Sequence, residues 1–572
     1  LKPKFRTADL RSVQLFIRHR NLFPRKFVNL IQSRFRILPI FSAIFLMLFF
    51  VNPTAASVSS IPKPTAVPVL HTSSVSPIVT LLDSSFNPSL VGGSPFCYSG
   101  SLGTIVCYPP NFLKKAYNFP STTGRHGLDG TGSTIVIVDA FGSPTIQSDL
   151  DTYDAAFGLP STTITILCGP TWTGAATDIC PVNTIADLST APNAGVCGAT
   201  GWAEETTLDV TMAHSLAPGA HIVLLVANDC YDTSLYGGEL AVVNQPQYKG
   251  SIMTQSFGEP DDLATCTALD NTSSYCISWD PTLLNLPNLV FQTAKANHWT
   301  VIASTGDEGA NEDAFVLGTT ELTPSFPATS PLVLAAGGTQ GSPYGGAYGG
   351  PPGPGGTFTC AAHQTCNTGL VIINGGANGC GTAVRPGEPT SCSPTGYGGE
   401  STWNEALVLG LGDTSGGGIS MLYSMPSYQL LAPHKFTTLL GNTVKATGRM
   451  VPDVSFNSAV YGGVMAYLGF LGRWAVFGGT SAASPAWAGI MALANQANRR
   501  PLGFVNPSIY VIGALGTIFS SLSPFHDITQ GNNAICSGYC GEDGFLAGKG
   551  YDLTTGWGTP NVSLLINLLT GN

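Results

Sequence analysis

Short apolar runs recur along the middle of the chain, and helical patterns fall between them. Ile135 to Val138, Ala220 to Val226, Ser251 to Thr254, Thr300 to Ala303 and Leu332 to Ala336 read as strands buried on both faces, because they run apolar without regular alternation. Glu204 to His214 and Asn285 to Asn297 read as helices between them, and Ala486 to about Asn498 as another further on. Alternating strands and helices predict an α/β fold: a mostly parallel, twisted sheet with helices on both faces. Ligands of such sheets bind beyond the carboxyl ends of the strands. Functional side chains are therefore expected just after strands, or at the starts of the helices that follow.

The rest of the 572 residues divides by composition. Residues 1–36 are rich in Lys and Arg, an apolar run follows from Ile37 to Val51, and small residues come next at Thr54, Ala55 and Ala56. That order, over 1–56, is the grammar of a secretory signal; an uncleaved anchor is the alternative, with a run somewhat short for a span. Residues 57–107 are rich in Ser, Thr, Pro and Val and read as a linker or short extension. The main domain is expected over 108–572, with long cysteine-bearing loops at 160–200 and 340–400. No internal repeat is found.

Charge and cysteine content narrow the function classes. Only 10% of residues are charged, and 24 basic against 34 acidic residues leave a net charge of -10, the opposite of a nucleic-acid-binding face. Few Lys and Arg also limit the self-repulsion that a protein suffers as its carboxylates protonate in acid. All 14 cysteines follow the apolar run. Behind an export signal they predict disulfides in an oxidising compartment, and no paired CxxC with nearby His supports a zinc site instead.

Three segments carry candidate chemistry. In Gly478-Gly479-Thr480-Ser481-Ala482-Ala483-Ser484-Pro485, glycines lead into Ser481 and Pro485 suits the first turn of a helix. Ser481 at a helix N-terminus is either an N-cap or a nucleophile whose oxyanion meets free N–H groups. In Trp202-Ala203-Glu204-Glu205-Thr206-Thr207-Leu208-Asp209, Glu205 and Asp209 are spaced i,i+4. On a helix they share a face, and such a pair tends to share a proton. Glu204 has Leu208 at that spacing and is the weaker candidate. In Ser304-Thr305-Gly306-Asp307-Glu308-Gly309, Asp307 follows a strand, as a site residue or as an acidic turn residue. No His lies in a His-Gly-Thr segment, so an activated Ser481 needs another base.

Together these segments resemble the sedolisins, the serine-carboxyl peptidases of the subtilisin-like superfamily. Further matching stretches are Tyr108-Pro109-Pro110, Phe326-Pro327-Ala328, Glu400-Ser401-Thr402-Trp403-Asn404, Gly416-Gly417-Gly418-Ile419-Ser420 and Arg449 with Pro452-Asp453-Val454-Ser455. The resemblance implies a subtilisin-like fold over about 108–570. It implies Ser481 as nucleophile, Glu205 as general base, Asp209 as its orienting partner and Asp307 as a protonated oxyanion-hole acid. It implies protein or peptide substrates, and an optimum on the order of pH 3 to 5 follows from carboxyl chemistry.

Within residues 526–558 a fourth segment resembles the family's calcium site. Asp527 and Asp552 would give carboxylate oxygens, and Ile528, Gly548 and Gly550 backbone carbonyls, a hard-oxygen set that suits one structural Ca²⁺. An insert with Cys536 and Cys540 separates its two halves. The resemblance also implies a large prodomain, which 57–107 lacks the composition to form. The expected protein is a secreted, monomeric, acid-active endopeptidase with no nucleic-acid partner and no membrane attachment in its mature form. The alternatives are a tripeptidyl exopeptidase of the same family and a catalytically silent binding protein on the same scaffold. An esterase of the Gly-x-Ser-x-Gly type does not fit Gly479-Thr480-Ser481.

Overall fold

The computed structural model describes residues 78–571 apart from 89–95, 100–102, 125–126, 169–196, 262–283, 313–321, 342–396, 398, 406–412, 461, 521–522 and 536–542. The predicted signal segment, most of both long loops and the Cys536–Cys540 insert lie outside the described residues. The chain divides into two units, Val69–Leu565 and a second made of Leu1–Pro68 with Ile566–Asn572. The candidate site lies in the first. No described helix is long and apolar enough to cross a membrane.

Along the chain come β1 (Ile78–Leu81), β2 (Phe96–Ser99), β3 (Gly103–Tyr108) and α1 (Pro110–Ala116). An alternating stretch follows: β4 (Thr134–Ala140), α2 (Ile146–Phe157), β5 (Thr165–Cys168), α3 (Ala199–Leu216), β6 (His221–Ala227), α4 (Asp232–Val243), β7 (Ile252–Gln255), β8 (Glu259–Pro260), α5 (Asn285–Ala296), β9 (Thr300–Ser304), β10 (Ser325–Phe326) and β11 (Leu334–Gly341). The last part adds β12 (Glu400–Thr402), β13 (Gly418–Ser424), β14 (Lys435–Thr437), β15 (Thr443–Lys445), β16 (Gly448–Val451), β17 (Val454–Asn457), β18 (Gly463–Leu468) and β19 (Arg473–Gly478). The helices α6 (Ala483–Asn498) and α7 (Asn506–Ile518) follow.

The main sheet has eight strands, ordered β12-β11-β9-β7-β4-β6-β5, with β17 also paired to β11. All its pairs are parallel except β11 with β12. The five apolar runs read from the sequence all fall on strands of this sheet. Their lack of alternation has the expected cause: Ile135 to Val138 and Ile222 to Leu225 are fully buried on both faces.

Helix α3 is buried on nearly every side from Trp202 onward, because it packs against β4, β18 and α6 at once. A helix so enclosed has no solvent face to fill with charge, which makes its two deep carboxyls conspicuous. Its last turn is fixed to α2 by His214 Nε2 against Asp154 Oδ1 at 3.1 Å, both buried. Its first turn is tied to the start of α4 by the Cys197–Cys230 disulfide. The buried Arg449–Asp453 pair, with both nitrogens at 2.6 Å, holds β16 to β17; Asp453 also accepts the Ala335 N–H of β11 at 2.8 Å.

The folded unit extends N-terminal to residue 108. β1 runs antiparallel to β19, β3 runs parallel to β18, and β2 closes the edge of a five-stranded sheet, β1-β19-β18-β3-β2. The Cys97–Cys107 disulfide links β2 to β3. Thus part of the segment read as an extension is built into the sheet that leads to Ser481. Strands of four residues in a Ser/Thr/Pro-rich stretch carry too little periodicity to be seen locally.

Candidate active site

Ser481 stands in a single 3₁₀ turn, Thr480–Ala482, between β19 and α6. Gly479 is required there twice over. Its φ is +100°, and a Cβ would lie 2.6 Å from Asp307 Oδ2. Ser481 keeps 8% exposure, so the hydroxyl is enclosed yet reachable.

Asp307 comes three residues after β9, at the carboxyl end of the sheet. Its Oδ1 accepts the Thr480 N–H at 2.7 Å. The Thr480 hydroxyl is shared between that oxygen at 2.8 Å and the Gly306 carbonyl at 3.0 Å. Burial pushes the Asp307 carboxyl up to about 6, against the opposing pull of the Thr480 hydrogen bonds.

Glu205 and Asp209 lie one turn apart on α3, both fully buried, while Glu204 is partly exposed. Burial holds Glu205 well above the ordinary carboxyl range; the Ser481 hydroxyl opposes this, and the charges of Asp139, Asp307 and Glu204 add to it. The Ser481–Glu205 contact is looser than a full hydrogen bond, since neither Glu205 oxygen has a partner at hydrogen-bond geometry. Such contacts in enzymes without substrate are often long. Asp209 Oδ1 accepts the Ser256 hydroxyl at 2.9 Å. The same hydroxyl lies 3.4 Å from the Ser481 carbonyl, which links the carboxyl pair to the backbone at Ser481. Burial raises Asp209 strongly, with Asp139 and Glu205 adding charge.

Two residues in this cluster escaped the sequence reading. Ser256 follows β7 directly and joins Asp209 to Ser481. Asp139, on β4, is fully buried with neither oxygen hydrogen-bonded. Burial raises it to about 7; the opposing Thr206 hydroxyl is already engaged with the Trp202 carbonyl at 2.8 Å. Asp139, Glu205 and Asp209 form a buried carboxyl trio, and among the described residues no cation pairs with them. The available signal was position: Asp139 sits near the carboxyl end of a parallel strand.

The C-terminal loop gathers the five residues assigned to calcium by resemblance. Asp527 accepts the Gly550 N–H on Oδ1 at 2.9 Å and on Oδ2 at 3.1 Å. Asp552 Oδ2 accepts the Gly548 N–H at 2.8 Å, and its Oδ1 takes the N–H and hydroxyl groups of Thr554 and Thr555. Burial raises both carboxyls, Asp552 to about 6. Among the described residues the carbonyls of Ile528, Gly548 and Gly550 accept no backbone hydrogen bond. No group of three or more His, Cys, Asp or Glu side chains among the described residues could hold a metal. This loop would rely on two carboxylates and free carbonyls, a donor set that fits Ca²⁺.

A parallel sheet whose carboxyl edge presents a serine at a helix start, faced by buried carboxyls, is an arrangement of the subtilisin-like fold. No family model matches the chain. Among individual proteins it is similar to kumamolisin from Bacillus sp. (strain MN-32), 28% identical over 467 residues, which are 81% of this chain and 64% of kumamolisin. It is similar to tripeptidyl-peptidase 1 from Homo sapiens, 36% identical over 165 residues, 27% of each chain. The solved structure of Pseudomonas sedolisin, described as a serine-carboxyl proteinase complexed with two molecules of pseudo-iodotyrostatin, matches with a TM-score of 0.56. That match is at 25% identity and covers 82% of this chain and 100% of that one. In sequence and in fold the chain is similar to members of the sedolisin family. It spans 64% of the length of kumamolisin and 27% of that of tripeptidyl-peptidase 1, less than two thirds of either.

Proposed function

We propose that the protein is a secreted, acid-active serine-carboxyl endopeptidase. The observation that carries this is the meeting of Ser481, Glu205 and Asp307, from three distant stretches of chain, at one edge of the sheet. Ser481 Oγ attacks the peptide carbonyl as its proton passes to Glu205. Glu205 then returns that proton to the leaving amine, and water repeats the sequence on the acyl-enzyme. Asp209, held by Ser256, keeps Glu205 in place and shares its proton. Asp307 Oδ1 already accepts from Thr480, so its own proton belongs on Oδ2, the oxygen beside Gly479. From there it donates to the developing oxyanion.

The pH dependence follows from the two roles. Asp307 must be neutral, and it loses its proton near 6. The base must be ionised, which requires one proton to leave the Asp139–Glu205–Asp209 set. The rate should fall at the acid end, where the set and Asp307 are all protonated, and at the alkaline end, where all are ionised. The test is a pH–rate profile on a denatured protein substrate, beside Ser481→Ala, Glu205→Gln and Asp307→Asn. Each variant should lose at least about 10²-fold in kcat while melting like the parent protein. Full activity at pH 8, or an unimpaired Glu205→Gln protein, rules the assignment out.

Release of tripeptides from free N-termini is the second reading, favoured by similarity to a protein named tripeptidyl-peptidase 1. N-terminally blocked peptides separate the two: an endopeptidase cuts them and an exopeptidase does not. The 526–558 loop is proposed to hold one Ca²⁺ through Asp527, Asp552 and the carbonyls of Ile528, Gly548 and Gly550. The ion would cross-link the loop and take no part in the chemistry. Chelation should lower the melting temperature of the parent and leave that of an Asp527→Ala, Asp552→Ala variant unchanged; an equal melting temperature with and without chelator removes calcium from the account. The protein is proposed to act as a monomer on protein or peptide substrates.

A further inference from the structure

We propose that Asn404 is a positioning residue for the oxyanion acid: its amide staples together the two chain segments that hold the backbone around Asp307. This rests on the peptidase reading above. Asn404 ends the stretch Glu400-Ser401-Thr402-Trp403-Asn404, and Gly416-Gly417-Gly418 opens another. Neither stretch supplies a group to the chemistry, yet the fold brings both against the Asp307 loop.

That loop lies between the two segments. On one side, the Thr414 N–H donates to the Asp307 carbonyl at 2.9 Å, and the Gly309 N–H donates to the Thr414 carbonyl at 3.0 Å. Thr414 thus brackets residues 307–309. The Gly416 N–H donates to the Gly306 carbonyl at 2.8 Å and the Gly417 N–H to the Gly309 carbonyl at 3.3 Å. On the other side, the Ala310 N–H donates to the Asn533 carbonyl at 2.9 Å. Backbone meets backbone on both faces. A Cβ on Gly416 would run into the Thr305 carbonyl, and one on Gly309 into the Asn533 carbonyl.

Asn404 joins those two faces. Its own N–H donates to Gln340 Oε1 at 2.8 Å, which fixes it to β11 of the main sheet. Its Nδ2 donates to the Ala534 carbonyl at 3.0 Å and the Asn532 carbonyl at 3.1 Å, and its Oδ1 accepts the Thr414 hydroxyl at 3.2 Å. Asn404 is buried, as is Thr414. Asn533 Nδ2 adds a longer bond, 3.3 Å, to the Gly417 carbonyl. A short side chain with donors on one atom and an acceptor on the other is what this place needs, and only Asn offers it at that length. An ionised Asp would set a carboxylate against two carbonyls. An apolar residue would withdraw a partner from two carbonyls and a hydroxyl.

The Asp307 carboxyl is thereby fixed from two directions. Thr480 holds its Oδ1, and the stapled segments hold its main chain. A group that donates to an oxyanion acts only if it is already in place, and a misplacement of ~1 Å costs about 10²-fold in rate. The bond to the oxyanion forms on the way to the transition state. Loosening the staple should therefore lower kcat and spare KM.

The test uses the full chain, steady-state kinetics on a peptide substrate, and a peptide aldehyde as probe. Ser481 Oγ bonds to the aldehyde carbon and the hydroxyl proton passes to the carbonyl oxygen, which gives a tetrahedral adduct whose oxygen meets Asp307. Asn404→Ala should lower kcat about 10²-fold and aldehyde affinity by a similar factor, with KM within about threefold of the parent. Thr414→Val removes only the hydroxyl end of the staple and should show the same pattern at about tenfold. It decides the matter if Asn404→Ala does not fold. Thr414→Ser, which keeps the hydroxyl, should stay within about twofold of the parent. Adding Thr414→Val to Asn404→Ala should cost no further kcat, because the partner is already gone. Parent-like kcat in the deciding variant, or a loss of kcat that leaves aldehyde affinity untouched, overturns the role of Asn404. A parent protein without Ser481-dependent cleavage overturns the peptidase reading itself, and this role with it.

Discussion

Asp139 shows how a single side chain can set the conditions under which others work. Its carboxyl makes no hydrogen bond to Ser481 or Asp307, yet its charge raises both Glu205 and Asp209. Removing that charge lets the pair ionise more readily. Asp139→Asn should therefore let Glu205 ionise at lower pH, read as a shift of the whole pH–rate profile toward acid. The rate at the optimum should stay within about tenfold of the parent, because a positioning residue contributes less than the base itself. A profile that does not move confines Asp139 to packing. The sequence displayed Asp139 only as the end of an apolar run. Ser481, Glu205, Asp209 and Asp307 were legible because each lies in a segment with its own spacing. Asp139 and Ser256 were not, because a lone polar residue after a strand is ordinary until the fold shows what it faces.

Among the elements, the five-stranded sheet at the N-terminal side holds the nucleophile's approach. β19 ends at Gly478, three residues before Ser481, and β1 pairs along it from Ile78 opposite Gly478 to Leu81 opposite Ala475. The Arg473 Nε donates to the Leu82 carbonyl at 3.1 Å, and the Leu82 N–H to the Trp474 carbonyl at 2.9 Å. Leu82 is fully buried in a cluster with Cys97, Cys107, Tyr153, Met465, Trp474 and Val476. Leu82→Ala should cost about 2–5 kcal/mol of unfolding free energy in a urea titration, the range for a buried leucine. A chain started at residue 108 should be less stable still, having lost β1, β2 and all of β3 but Tyr108; parent-like stability of that shortened chain would leave these strands a passive attachment. The main sheet was legible because its strands are continuous apolar runs. β1 and β3 were not, because β19 and β18 lie more than 300 residues away in the sequence and local pattern carries no trace of them; β2 only adds to β3 at the edge.

At the scale of the molecule, buried carboxyls outnumber the cations paired with them among the described residues, and this sets a direction for stability. Burial raises Glu239, Glu259 and Asp413 to about 8, Asp139 and Glu308 to about 7, and Asp149 to about 6. In the unfolded chain these groups titrate near 4. The folded state therefore binds more protons between roughly pH 4 and 8 than the unfolded state does. Stability from these groups is fully present below pH 4 to 5 and is lost as pH rises through about 6 to 8. Asp129 and Asp543 have lowered values and work in the opposite direction, but both are mostly solvated and count for little. Low charge content hinted at an acid setting, yet composition does not say which acids are buried; only the packed core does. The melting temperature should be higher at pH 4.5 than at pH 8, the reverse of a protein whose carboxylates are held ionised by cations. A scan in which it rises steadily from pH 4.5 to 8 would show that water or cations reach these groups and that the core is not built for acid.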